Sequence, residues 1–191
     1  MAEQQKRKQP FFCYLPTNVP HWPNLVERKY LEMYHGEYSG FFGMIAQFDE
    51  NMGRMERFMA ESGLKENTIF IFITDNGTSQ GAAVFNAGMR GNKEQYYEGG
   101  HRGPFFLRWP GAGLNKPRDI DELTHSTDLF PTLLDLCGIE KSADLEFDGM
   151  SLAGLIRGTA DTLGDRKVII QYDNLEEPGG GSLEEMASGS R

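Results

Sequence analysis

Asp75 and Asn76 stand directly behind an apolar run, Ile69-Phe70-Ile71-Phe72-Ile73, and are followed by Gly77. A continuous β-branched and aromatic run of this length reads as a strand buried on both faces. In open α/β sheets the ligand site lies beyond the carboxyl ends of the strands. A carboxylate and an amide carbonyl placed there are hard oxygen donors where a divalent cation would use them. The same Asp-Asn-Gly also makes a turn, since all three residues tolerate or favour φ > 0, and the tetrapeptide alone favours that plainer reading. His21 is a second candidate. Pro20 and Pro23 flank His21-Trp22, so the loop is stiff and the imidazole is held in a defined place; on these residues alone a partly exposed loop histidine is the alternative. Lys93, in a glycine-rich stretch, reads by itself as a solvated loop lysine.

The elements that must position these groups follow a strand and helix alternation. Pro10 introduces a strand candidate over Phe11–Leu15. From Ser39 to Ser62 the residues Phe41, Ile45, Phe48, Met52, Met55 and Met59 recur at steps of three and four. This is a helical stripe facing a core, with Gly63 as its stop. After the strand over 69–73 comes a long loop from Gly77 to Gly103, of a length that is usually functional or disordered. Pro104 opens a second apolar run, FFLRW, closed by a Pro110-Gly111 turn. Ser126 or Thr127 caps a helix that continues through Leu136, with Pro131 in its first turn and Gly138 at its end. A short helix around Ser151–Arg157 and a strand from Lys167 to Tyr172 complete the ordered part. The pattern predicts an α/β layer architecture with a mainly parallel sheet flanked by helices.

Composition narrows the function classes. The chain has 191 residues and a formal net charge of −9; that length suits one domain, and the charge argues against a nucleic-acid partner, which needs a Lys/Arg surplus. Lys6-Arg7-Lys8 is too short a basic run to overturn this. No apolar run reaches the length of a membrane span, and the first residues lack a signal-peptide core. Cys13 and Cys137 each sit in an apolar segment and read as core residues, and nothing in the sequence supports a disulfide between them.

Four segments in order, PFFCYLPTNVPHWP, IFIFITDNG, MRGNKEQYYEGGHRGPFFLRWPG and HSTDLFPTLLDLCGI, resemble the sulfatases of the alkaline phosphatase superfamily, and arylsulfatase-like enzymes in particular. The likeness runs from about Pro10 to Tyr172. It implies part of a sulfatase catalytic domain over 10–172, while composition makes 1–9 a polar N-terminal segment and 173–191 a flexible Gly/Ser/Glu tail. It implies an alkaline-phosphatase-like fold and a hydrolase of sulfuric esters. By the resemblance Asp75 and Asn76 complete a calcium site, Lys93 contacts the sulfate group of the ester substrate, and His21 approaches the ester on its leaving-group side. These roles make chemical sense: a cation draws charge from the sulfate oxygens, an ammonium is a point charge for a tetrahedral oxyanion, and imidazole stabilises or protonates a departing oxygen near neutral pH. Arg102 reads as a brace within the loop, and Asp128 as a helix cap.

The departures matter as much. Sulfatases carry a C/S-x-P-x-R signature whose first residue becomes formylglycine, the nucleophile, and no such segment occurs in these 191 residues. Cys13 begins C-Y-L-P-T, with the proline one position late. The aspartate pair that binds the same calcium has no counterpart here either. The resemblance therefore implies a chain that begins partway through the catalytic domain, is inactive alone, and has the missing N-terminal half as its partner. An intact member is expected to be periplasmic or secreted, whereas Met1 taken literally would place this chain in the cytoplasm. Glu94 stands where many relatives have glycine, putting a carboxylate beside Lys93, and Gly103 stands in place of valine, which is expected to loosen the loop. Two alternatives stay open: a phosphoester or phosphonate hydrolase of the same superfamily, and a non-catalytic remnant that acts as a binding partner.

Overall fold

The computed structural model describes residues 1–171, and their contacts separate into two compact units, Met1–Ala112 and Gly113–Gln171. In chain order the first unit contains α1 (Ala2–Lys6), α2 (Arg28–Leu31), α3 (Ser39–Glu61), β1 (Phe70–Ile73), a 3-10 turn at Gln80–Ala83, α4 (Glu98–His101), β2 (Phe105–Arg108) and a 3-10 turn at Pro110–Ala112. The second contains a 3-10 turn at Ser126–Asp128, α5 (Leu129–Cys137) and α6 (Ala153–Arg157).

Helix α3 is the spine of the first unit. It ends where the sequence places its stop: Gly63 has φ +67°, and the amides of Gly63 and Leu64 close back on the carbonyls of Ala60 and Met59 at 3.1 and 2.9 Å. Phe41, Met44 and Met59 are buried, while Ile45, on the predicted stripe, is exposed. Helix α2 lies close against α3 because Gly43 lacks a side chain; a Cβ there would meet the Tyr30 carbonyl at 3.1 Å. Tyr30, itself buried, donates its hydroxyl proton to Glu50 at 2.9 Å. On its other side α3 supports the strands. Phe48 stacks on Phe72 at 5.9 Å and Phe72 on Phe106 at 6.0 Å, and Arg108 of β2 pairs with Glu56 of α3.

The sheet departs from expectation. Among the described residues it is a single antiparallel pair, with Phe70 opposite Arg108 and Ile73 opposite Phe105, where the sequence pattern predicts mainly parallel strands. The apolar run of β1 has one strand neighbour, so its residues are half-buried and Ile73 is exposed. Phe11–Leu15 is not a strand: it has no ladder partner, and Phe12, Tyr14 and Leu15 lie open to solvent. Apolar composition alone does not make a strand without an edge to pair with. Lys167–Gln171 is likewise irregular; Tyr172 and the expected tail over 173–191 lie outside the described residues. Both cysteines are exposed free thiols rather than core residues.

The second unit is built around buried polar atoms. Asp128 and Thr132 are nearly inaccessible to solvent. Thr132 donates to the Asp128 carbonyl at 2.6 Å and accepts from the Leu152 amide at 2.8 Å, which fastens the start of α6 to α5. The cap of the 3-10 turn that leads into α5 is His125, not Ser126 or Thr127: its Nδ1 accepts from the Thr127 amide, and Asp128 returns the bond by accepting from the His125 amide at 2.7 Å. Gly138 and Gly158 end α5 and α6 in the left-handed conformation.

Candidate functional site

Asp75 and Asn76 follow β1 immediately, and the loop after them folds back on the strand end. The Gly77 amide donates to the Gly100 carbonyl at 2.9 Å, and the Thr74 amide approaches the Pro104 carbonyl at 3.4 Å. Glycine makes this closeness possible: a Cβ on Gly77 would sit 1.8 Å from the Gly99 carbonyl oxygen. The same packing reverses the expectation for Gly103. A Cβ there would meet Thr74 Oγ1 at 2.3 Å, so glycine at 103 lets the loop pack tightly and does not loosen it.

Lys93 is tied by backbone to the loop that follows Asn76. Its amide donates to the carbonyl of Thr78 at 3.0 Å, two residues beyond Asn76. Asn76 and Lys93 are half-buried and Asp75 is exposed. None of the three side chains makes a hydrogen bond or ion pair among the described residues, so carboxylate, amide and ammonium are uncommitted. Nothing in the sequence signals the Thr78 anchor, because a carbonyl carries no residue preference. Glu94, next to Lys93, has φ +73°, a conformation that glycine adopts freely and L side chains resist. Arg102 donates to Glu98 at 2.8 Å, an exposed pair across the single turn of α4.

The loop that carries Lys93 is closed at its stem. The Gly99 amide donates to the Arg90 carbonyl at 2.8 Å, and Asn86 donates to the carbonyls of Met89 and Gly91 at 3.1 and 2.6 Å. The Arg90 guanidinium lies 3.6 Å from the Tyr97 ring centroid and donates to the Tyr97 hydroxyl at 2.5 Å.

His21 belongs to the loop that precedes α2. The peptide bonds before Pro20 and Pro23 are cis, the His21 amide donates to Asn18 at 2.8 Å, and Nδ1 lies 2.7 Å from the Trp22 carbonyl. The loop is tied to α3 through Asn24, whose amide group donates to Pro20 at 3.2 Å and approaches the Met44 sulfur at 3.5 Å. The imidazole is exposed, and no hydrogen bond joins it to Asp75, Asn76 or Lys93. No three His, Cys, Asp or Glu side chains converge on one point among the described residues. No helix there is long and apolar enough to cross a membrane.

The family model Sulfatase matches residues 1–139. The chain belongs to the sulfatase family. It is 33% identical over 165 residues to human arylsulfatase A, covering 83% of this chain and 31% of that protein. To the uncharacterized sulfatase YdeN of Escherichia coli it is 32% identical over 152 residues, 75% of this chain and 26% of the relative. The chain thus spans about a quarter to a third of the length of these sulfatases. Among solved structures it superposes on Ps i-CgsB with a TM-score of 0.74 at 24% identity, over 81% of this chain and 35% of that one, a likeness of fold. It superposes on yidJ of Bacteroides fragilis with a TM-score of 0.68 at 26% identity, over 83% and 39%.

Proposed function

We propose that this chain forms part of the catalytic unit of a calcium-dependent sulfuric-ester hydrolase. Asp75 and Asn76 hold the cation, Lys93 holds the sulfate and His21 serves the leaving alcohol. The observation that supports this reading is the backbone bond from Lys93 to Thr78, which ties the segment bearing Lys93 to the loop that follows Asp75 and Asn76.

The donor set fits a hard cation in kind, a carboxylate and an amide carbonyl, and two oxygens fall short of the six or so that calcium takes. Water or a partner chain supplies the remaining ligands. When bound, the cation supplies Lewis-acid polarisation of the sulfate oxygens. The chain's own residues do the rest. Lys93 offers up to three N–H donors to the sulfate oxygens and balances part of their charge. His21, exposed on its stiff loop, stabilises or protonates the departing ester oxygen. With no C/S-x-P-x-R segment in the sequence, these residues position and polarise but include no formylglycine nucleophile, and the chain alone turns over no ester.

The test is calorimetric titration of the chain with inorganic sulfate in the presence and absence of calcium. Saturable sulfate binding that weakens on Lys93→Ala and strengthens with calcium is expected. Preference for phosphate over sulfate would favour the phosphoester or phosphonate reading. Absence of both anion and metal binding in a folded chain would favour the non-catalytic remnant, a reading supported by the lack of the signature.

A further inference from the structure

The geometry points to Arg90 and Tyr97 as a clasp that closes the loop bearing Lys93, making Arg90 a positioning residue for capture of a tetrahedral oxyanion. The proposal rests on the reading of Lys93 as the sulfate-holding group.

Residues 90–99 leave and return at one point, where the Gly99 amide meets the Arg90 carbonyl. Lys93 lies three residues inside this stem on one side, and Tyr97 lies two residues inside it on the other. At the stem itself this one backbone bond is joined by Asn86 on the Gly91 carbonyl, and each such hydrogen bond contributes only about 1 kcal/mol net. The Arg90 side chain adds two contacts across the same stem. Its guanidinium covers the Tyr97 ring at 3.6 Å and donates to the hydroxyl at 2.5 Å. One side chain thus grips both the face and the tip of the ring, a fit that a planar fork makes and an ammonium does not. Gly91 completes the closure: a Cβ at that position would meet the Tyr97 Cβ at 2.8 Å. The guanidinium is engaged with tyrosine, so it shapes the anion site while the charge offered to the anion is that of Lys93. The Lys93 ammonium has four rotatable bonds of its own, and a fixed loop lowers the entropy lost when it binds.

The experiment compares the full chain with Arg90→Met, Arg90→Lys and Tyr97→Phe. Amide hydrogen exchange is read at Lys93 and Gly99, with Ser62 at the end of α3 as the internal control, and inorganic sulfate is titrated in parallel. Arg90→Met is expected to speed exchange at Lys93 and Gly99 by about tenfold with Ser62 unchanged, and to weaken sulfate by about fivefold to tenfold. Arg90→Lys is expected to recover part of both effects. Tyr97→Phe keeps the ring and loses only the hydroxyl contact, so it falls between. Unchanged exchange at Lys93 and Gly99 in Arg90→Met and Tyr97→Phe overturns the clasp. Lost sulfate affinity with unchanged exchange also overturns it, since Arg90 would then be an anion ligand itself. If the unsubstituted chain takes no sulfate, the role given to Lys93 fails, while the exchange arm still decides whether Arg90 closes the loop.

Discussion

Asp128 and Arg166 meet through two parallel hydrogen bonds, of 2.8 and 3.0 Å, with the carboxylate fully buried and the guanidinium nearly so. The carboxylate also accepts from the amides of His125 and Met150 at 2.7 and 2.8 Å. Every lone pair of a buried charge is thereby used, the condition under which such a pair is tolerated in a core. It joins the turn before α5, the approach to α6 and the segment after it. This is the organising contact of the second unit, and it explains why Asp128 belongs to the fold and not to the chemistry.

Arg166→Met should destabilise the second unit by about 3–5 kcal/mol, because it leaves Asp128 buried and uncompensated. Replacing both partners by apolar residues should cost less than that single change. Urea unfolding followed at an amide of α5 checks both.

The same pair sets an acid limit. Burial pushes the Asp128 carboxyl up, but the Arg166 hydrogen bond and the two amides outweigh it and hold the group below the ordinary carboxylate range. Its folded pKa lies under its unfolded one, so its contribution is complete above the ordinary aspartate value of about 3.9. The contribution is then lost as pH falls through the lower folded value. The unit should lose stability below about pH 4, and Asp128→Asn should remove most of that dependence while lowering stability at pH 7. Thermal melts from pH 7 to pH 2 measure it.

How much of this was legible in the sequence depends on whether each feature is local. Helix α3 is legible because its period and Gly63 lie within a few residues of one another. Strand β1 is legible, but its antiparallel partner is not, since pairing joins residues more than thirty apart and no side chain encodes it. Phe11–Leu15 misleads because apolar residues also occur where no neighbouring strand covers them. His125 escaped as a cap because an imidazole seldom takes that place. Asp75 and Asn76 stand out from their position after an apolar run. The tie of Lys93 to the loop after them is silent in the sequence, resting on a backbone bond to Thr78 and on glycines at 77, 99 and 100 that permit close contact.

Gly77→Ala tests that contact. The added methyl would overlap the Gly99 carbonyl at 1.8 Å, and backbone cannot swing aside as a side chain does. A loss of at least about 1–3 kcal/mol is expected, the usual range for overpacking. Faster hydrogen exchange at Gly77 should accompany it. A variant as stable as the parent would show that the loop does not close on the strand end as described.

Calcium affinity tests Asp75 and Asn76. Two protein oxygens with the remainder from water should bind in the weak range, with a Kd of about 10⁻⁴ to 10⁻³ M. Asp75→Ala should abolish the titration, and Asp75→Asn should weaken it by removing the charge while keeping an oxygen. A parent protein silent to calcium in calorimetry would withdraw the metal role from this pair.

Glu94 offers the most discriminating change, because two effects of one residue point the same way. At φ +73° a non-glycine residue carries a strain of about 1–2 kcal/mol. Glycine relieves it at the cost of about 0.4–1 kcal/mol in the unfolded chain. Glu94→Gly should therefore be neutral or stabilising by up to about 1 kcal/mol, the reverse of the usual effect of introducing glycine. It also removes a carboxylate from beside the Lys93 ammonium, so sulfate binding should tighten by a few-fold and become less dependent on ionic strength. Glu94→Gln separates the two, keeping the strain while removing the charge. If Glu94→Gln tightens sulfate as much as Glu94→Gly does, the charge alone governs the anion. If neither changes sulfate affinity, the Glu94 carboxylate points away from the site and the loop's conformation is its only cost.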